Sequence, residues 1–328
     1  AESDPRYEGN RVPGLRFALP GDRTAPVPRA DDQAPPPPFD LEEWLTPRTF
    51  ALHVDRTIDR RHGLPESGLS QIALDRGGRV WVTTQQGVYQ QVQDTLWTVH
   101  GQDQGVRQGW SRDLQVGPRD GHVWATIEGR LHRFDGKQWE PLFTDDWSGA
   151  LFTDNAGHAC VSSWQRGVRC WEDSTWKSYQ AFEDSLEAAN MAECGLFDIQ
   201  GALWIGTWGH GVWRRQGDAW TKMTVADGLA DNHPAILAEA PNGDLWVGYN
   251  GIGISRLHRG RWRTWFGEGA PESDVQAIVV SREGTVWVVG NGGETLSRFD
   301  GKQWATATCS EPVRDLLQDD QGRLWLAT

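Results

Sequence analysis

Gly201–Trp220 reads GALWIGTWGHGVWRRQGDAW. A Gly-x-x-Trp core opens it, a glycine hairpin follows, and a second tryptophan closes it sixteen residues after the first. The same core, or its degenerate remains, centres on Trp81, Trp124, Cys160, Trp246, Trp287 and Trp325, at spacings of 43, 36, 44, 42, 41 and 38 residues once Trp204 takes its place in the series. The second marker recurs as Trp97, Trp139, Trp176, Trp220, Trp262 and Trp304, 15 to 17 residues after each of the first six centres. Two markers in fixed phase indicate a true internal repeat. Its period matches one four-stranded propeller blade and exceeds leucine-rich or ankyrin units. Seven centres predict an all-β, seven-bladed β-propeller of four-stranded antiparallel blades. Such a scaffold serves many chemistries, so the repeat fixes architecture before function.

The bulk composition agrees. The 328 residues hold 38 glycines and 20 tryptophans. Glycine suits tight turns, and tryptophan suits the wedges between radially arranged sheets. The net charge of −13 argues against nucleic acid, whose phosphates need a basic stripe, and against an anionic membrane surface. No apolar run approaches the roughly 18 residues that span a bilayer. The chain opens at Ala1 with AESDP, read as the end left by signal-peptide removal, with a periplasmic or secreted location expected.

Cysteine placement supports an oxidising compartment. Pairing Ser163 with Gly167 across the turn Trp164-Gln165-Arg166 sets Cys160 opposite Cys170. Aligned to the Trp204 blade, this pair stands where Trp204 faces Arg214. A cross-strand disulfide is expected, with two independent core cysteines as the alternative. Cys194 and Cys309 are expected to be free thiols.

Residues 1–45 differ from the rest. Their PGDRTAPVPRADDQAPPPPFD stretch has no periodicity and reads as an extended, proline-rich arm or linker. Residues 46–328 read as the propeller. In the Trp204 blade the expected strands are Gly195–Ile199, Ala202–Thr207, Val212–Gln216 and Ala219–Thr224. The last repeat, VRDLLQDDQGRLWLAT, stops after two strands. TFALHVDRTID, Thr49–Asp59, precedes the first crossing loop and is expected to complete that blade, so that N- and C-terminal strands close the ring and remove two sheet edges.

HGLPESGLSQIALD from His62 to Asp75, GALWIGT at Gly201–Thr207, GDLWVGY at Gly243–Tyr249, LHRFDGKQW at Leu131–Trp139 and LSRFDGKQW at Leu296–Trp304 together resemble the two-component regulator propeller repeat. The resemblance covers roughly residues 49–328. It implies an extracytoplasmic sensor-type module, since members are typically sensor regions of hybrid histidine kinases that often respond to glycans. Related lone propellers occur in secretion and envelope assemblies.

In a propeller the crossing loops and the central hairpin of each blade share one face, where ligands usually sit over the channel mouth. There the sequence places Trp110, Trp147, Trp164, Trp208 and Tyr249, none of which belongs to the phased markers. His210, His233, Asn232, Asn250, Asn291, Glu128 and Glu193 accompany them. Aromatic faces with amide and carboxylate partners suit sugar stacking or caging of a cation; the alternative is that several fold down as plugs between blades.

Metal and catalytic signals are weak. The nine histidines are scattered, no His-x-x-x-His or carboxylate–histidine zinc spacing stands out, and no cofactor or metal is expected. His210 and His233 are the one pair nominated for acid–base work of the propeller-lyase type. The expected function is a non-catalytic extracytoplasmic module that binds a small-molecule or glycan ligand, or an envelope protein partner. A scaffold subunit and a lyase-type enzyme are the alternatives.

Overall fold

The computed structural model describes residues 49, 52, 57–65, 68–93, 96–106, 109, 111–117, 120–142, 148–163, 167–179, 192–267 and 269–328. All lie within one compact unit, Glu42–Thr328. The proline-rich stretch 1–45 and most of Thr49–Asp59 lie outside the described residues.

Six sheets are four-stranded antiparallel meanders, with strands in chain order from one edge to the other. Sheet 1 begins at Leu69–Leu74, sheet 2 at Ser111–Val116, sheet 3 at Ser148–Thr153, sheet 4 at Ala192–Phe197, sheet 5 at Pro234–Glu239 and sheet 6 at Ala277–Val280. A seventh sheet pairs Asp315–Gln318 with Leu324–Ala327. Each first strand lies against the first strand of the next sheet, and that of the seventh lies against that of sheet 1. This is a β-propeller of four-stranded blades. Seven full blades were expected; six are complete among the described residues, and the seventh sheet has two strands.

Burial follows position in the sheet. The second strands VWVTT (Val80–Thr84), LWIGT (Leu203–Thr207) and LWVGY (Leu245–Tyr249) are buried at every residue, because both faces meet a neighbouring blade. The fourth strand of sheet 4, Ala219–Met223, is exposed or half-buried throughout, as an outer edge should be.

A recurrent turn joins the first two strands. Asp75 Oδ1 accepts the amides of Gly77 and Arg79, and Oδ2 accepts the indole N–H of Trp81 at 3.0 Å. Asp198 repeats this with Gln200, Ala202 and Trp204, and Asp319 with Gln321, Arg323 and Trp325. The third turn residue is left-handed, at φ +75° in Gly78, +83° in Gly201 and +79° in Gly322, which is why glycine recurs there. Because Asp198 is committed to the turn, the first strand of sheet 4 ends at Phe197 and starts at Ala192, three residues earlier than the expected Gly195. Ile199, expected in that strand, lies exposed in the turn.

The two phased tryptophans meet at the seams between blades. Trp81 packs on Phe134 and Trp139 of the next blade at centroid distances of 5.4 and 6.4 Å. Trp246 packs on Phe299 and Trp304 in the same way, at 5.5 and 6.0 Å. Within a sheet the marker also faces the third strand: Trp204 opposite Arg214, Trp124 opposite Arg133, Trp246 opposite Arg256 and Trp287 opposite Arg298. In sheet 3 the opposed pair is Cys160 and Cys170, joined by a disulfide. Cys194 and Cys309 are free; burial pushes both thiols up.

Two aspartates staple first strands to each other. Asp113 Oδ2 accepts the Leu151 amide at 3.1 Å. Asp315 Oδ2 accepts the Ile72 amide at 2.9 Å, across the joint between the seventh sheet and the first. Burial pushes the Asp315 carboxyl up to about 7 from its ordinary 3.8, despite amide bonds from Ile72 and Leu316 that pull it down.

Two stability measurements follow. Replacing both Cys160 and Cys170 with serine should cost about 2–3 kcal/mol, the loop-closure scale for so short a loop; intact mass after alkylation should find two reactive thiols without reductant and four with it. For Asp315 the folded state holds the proton more tightly than the unfolded chain. Its penalty is absent below about pH 4 and complete above about pH 7, reaching a few kcal/mol at most. Melting temperature should therefore fall as pH rises through that window. Asp315→Asn should flatten this slope, whatever it does to absolute stability; an unchanged slope would rule the aspartate out as its source.

Candidate functional site

The loop-bearing end of sheets 4 and 5 gathers the expected residues that the structure describes best. The hairpin of sheet 4 carries Trp208, Gly209 and His210 between Leu203–Thr207 and Gly211–Gln216. The hairpin of sheet 5 carries Asn250, Gly251, Ile252 and Gly253 between Leu245–Tyr249 and Ile254–His258. The crossing loop between these sheets lies between the two hairpins. It leaves the outer strand at Thr224, whose side chain caps a short turn of 3-10 helix, Val225–Asp227, in a capping box. Asn232 then ties the loop down: its Oδ1 accepts the Val225 amide at 3.0 Å, and its carbonyl accepts the Gly211 amide.

His233 ends that loop. Its Nδ1 lies 2.7 Å from Asp231 Oδ1, and its ring meets the Trp208 indole edge-on at 5.3 Å and 80°. Gly209 lies over the His233 ring, where a Cβ would make ordinary contact at 3.4 Å from Nε2; its φ of +77° is what calls for glycine. Burial raises Asp231, but hydrogen bonds from His233 outweigh it and hold the carboxyl below its ordinary value. Trp208 thus rests on an imidazole that a carboxylate orients, with 42% of its surface open to solvent.

Apolar side chains surround the same loops. Val225, Ile252 and Phe266 are each at least half exposed. Phe266 lies against the sheet 5 hairpin, since a Cβ on Gly253 would come within 2.8 Å of its ring. None of the three was foreseen. The available signal was Gly251-Ile252-Gly253, which repeats the Gly209-His210-Gly211 hairpin with an isoleucine that no core position requires.

Other expected site residues lie elsewhere. Tyr249 is fully buried rather than part of an open rim: its hydroxyl donates to Ser255 Oγ at 2.8 Å and accepts the Ala230 amide, and burial pushes its pKa up. It braces the crossing loop from below. Glu193 is 9% exposed on the first strand of sheet 4. Asn291, at φ +53°, is exposed and bonds Ser273 and Glu294 within its own hairpin region. Asn250 and Glu128 are exposed hairpin residues. Trp110, Trp147 and Trp164 lie outside the described residues. His210 is half-buried, and among the described residues no grouping of three potential metal ligands includes His210 or His233.

The opposite end holds two polar features. A cleft of about 290 Å³ lies between sheet 6 and the seventh sheet, lined by Ser281, Thr285, Trp287, Arg298, Asp300 and Gln318. In sheet 3, ligand atoms of Asp154, His158 and Glu172 all lie within 4.8 Å of one another. The sequence reading passed over that set. Asp154 and His158 are four residues apart in a turn, and only the strand register brings Glu172 opposite.

Comparison with known proteins agrees with the architecture. The repeat family described as two component regulator propeller matches residues 309–328. No curated protein matches the sequence. Among solved structures, the extracellular domain of the putative hybrid two component system BT3049 from B. thetaiotaomicron superposes at a TM-score of 0.66 and 14% identity, covering 83% of this chain and 40% of that one. The corresponding domain of BT4673 from the same organism gives 0.62 and 16%, covering 79% of this chain and 39% of that one. Virginiamycin B lyase from Staphylococcus aureus gives 0.64 and 15%, covering 80% and 92%. This chain thus spans about two fifths of the length of the two-component domains, and at these identities the likeness is one of fold. No helix among the described residues is long and apolar enough to cross a membrane. Residues 309–328 match the two component regulator propeller repeat, and the chain shares its fold with the extracellular domains of hybrid two component systems.

Proposed function

We propose that this propeller is an extracytoplasmic, non-catalytic binding module whose ligand docks on the loop face of sheets 4 and 5. The carrying observation is Trp208, an exposed indole held edge-on by the His233–Asp231 pair and accompanied by Val225, Ile252 and Phe266. The indole is held in one orientation before any ligand arrives, which lowers the ordering cost of binding. An aromatic face beside apolar groups and an imidazole–carboxylate pair suits stacking on a glycan-type or other small ring-bearing ligand. The Cys160–Cys170 disulfide supports an oxidising compartment, and the extracellular two-component neighbours support the same location. In the catalytic alternative His233, oriented by Asp231 at its Nδ1, would act as a base with His210; the packing of its ring against Trp208 favours a supporting role instead.

The same reading includes a seventh blade completed by Thr49–Asp59, with residues 1–45 as a proline-rich extended linker or arm. Leu52 packs against the buried cluster of Val289, Leu296, Val313 and Leu316 on the sheet 6 side of the seventh sheet, and Ile58 against that of Ile72, Val80, Val82 and Ala327 on the sheet 1 side. Side chains from this segment therefore reach both flanks of the two-stranded sheet. Its described β-bridge goes to the neighbouring blade, from Thr49 to Thr306 of sheet 6.

Two tests address these readings. In fluorescence titrations against a panel of oligosaccharides, a saturable change should occur with one class, and Trp208→Ala should weaken it by roughly tenfold or more, the scale of one buried aromatic contact. Saturable binding that Trp208→Ala leaves intact would move the site elsewhere, and affinity capture of a protein by both forms would favour an assembly role. Deleting residues 1–40 should leave cooperative melting intact, whereas deleting residues 1–60 should abolish it. A 1–60 deletion that melts like the full chain would refute the closure.

A further inference from the structure

We infer that sheet 3 carries a divalent-metal site formed by Asp154, His158 and Glu172, at the end of the propeller opposite the loop face. Wherever the turn aspartate is kept with its tryptophan, the second carboxylate oxygen takes the indole N–H and has an arginine guanidinium beside it. Asp75 Oδ2 takes Trp81 Nε1 and Arg79 Nε, and Asp319 Oδ2 takes Trp325 Nε1 and Arg323 Nε. Asp198 Oδ2 takes Trp204 Nε1, with the Arg214 guanidinium 3.9 Å away. In sheet 3 the aspartate remains, and its Oδ1 still caps the turn through the amides of Ala156 and His158. The indole and the facing arginine have become Cys160 and Cys170, which donate nothing to it. Asp154 Oδ2 is left with His158 Nδ1 at 2.8 Å.

The strand register supplies the third ligand. Cys160 stands opposite Cys170, and continuing that register past Ala159, where the strand begins, sets His158 in the turn across from Glu172, on the side of the disulfide. The S–S bond ties together the two strands that carry these ligands. The three side chains are partly shielded, with 14% of Asp154, 34% of His158 and 22% of Glu172 exposed. Glu172 also receives the Tyr179 hydroxyl on one oxygen and Lys177 Nζ at 3.3 Å on the other, outer contacts that fix its orientation. Ligand atoms of a zinc-type ion, at bond lengths of about 2.0–2.2 Å, lie roughly 3.3–3.6 Å apart. The present spread, within 4.8 Å, closes to that by small rotamer adjustments. One imidazole and two carboxylates suit Zn²⁺ or a similar first-row divalent ion, with water completing the sphere.

The test is calorimetric titration of the chelator-stripped full chain with ZnCl₂, with Co²⁺ absorption as a second readout. One ion per chain should bind. His158→Ala and Glu172→Gln should each weaken it by roughly tenfold or more and remove the visible Co²⁺ band. His233→Ala, on the opposite face, should bind like the parent. Glu172→Gln is nearly isosteric, so it decides the matter should His158→Ala fail to fold. Absence of saturable binding to the parent chain, binding unchanged in folded Glu172→Gln, or binding lost in His233→Ala would each overturn the assignment.

Discussion

The hydrogen bond from the marker indole to the turn aspartate, as in Trp81 to Asp75 at 3.0 Å, is the constraint on which the rest of the fold hangs. A buried indole N–H needs an acceptor, and a buried carboxylate needs donors. One contact meets both needs and fixes the ring in the plane where it can reach the next blade. There Trp81 meets the Phe134–Trp139 pair; Trp246, whose turn carries Ala240 in place of the aspartate, forms the like seam with Phe299 and Trp304. The turn, the strand and the seam are thereby set by one side chain. Asp75 and Asp319 are held below their ordinary values: burial raises them, and the indole and arginine donors outweigh it. Their stabilisation is present above about pH 4 and fades as they protonate, opposite in sign to the Asp315 effect.

This arrangement explains what the sequence discloses. A side chain needed at every seam must recur at every seam, so the period is readable from one chain. The strand order follows from it, and so does the facing of Cys160 and Cys170, because the hairpin at Ser163–Gly167 leaves a single register. The errors fall where a local hydrogen bond moves a boundary. Asp198 is such a case: reading it as strand placed Ile199 in the sheet, whereas its carboxylate organises the turn and ends the strand.

The candidate site was less legible, for a physical reason. Trp208 and Tyr249 occupy nearby positions just past or at the end of the second strand, and both are aromatic residues that the repeat does not require. The sequence alone does not distinguish them. Trp208 lies one residue beyond the strand, in the turn, where its ring faces solvent over His233. Tyr249 is still within the strand, and its ring points inward to Ser255. A one-residue step reverses side-chain direction in a strand. Exposure thus depends on where pairing stops, the feature that sequence patterns locate least well.

Departures from the repeat are the more informative positions, since each must resolve the polar demands that the regular blade meets. In sheet 5 the turn aspartate is Ala240, and an acid reappears four residues later as Asp244, buried at 5% and bonded to His258 Nδ1 at 2.6 Å with Arg256 3.6 Å away. The carboxylate has moved along the chain, where it meets His258 and the facing arginine, which keeps the position that Arg214 holds in sheet 4. Sheet 6 uses Ser281, whose hydroxyl oxygen accepts the Thr285 amide and asks for no counter-charge. Sheet 3 keeps the acid, removes the indole and the arginine, turns His158 onto the acid, and adds a second acid across the disulfide that Lys177 and Tyr179 contact. Two carboxylates with an imidazole between them form the setting in which the proposed divalent ion would bind. In sheet 4, where Trp204, Arg214 and Asp198 are all present, the turn carboxylate is satisfied from within the sheet. Its loop end is then free to present Trp208 outward without compromising the blade that holds it.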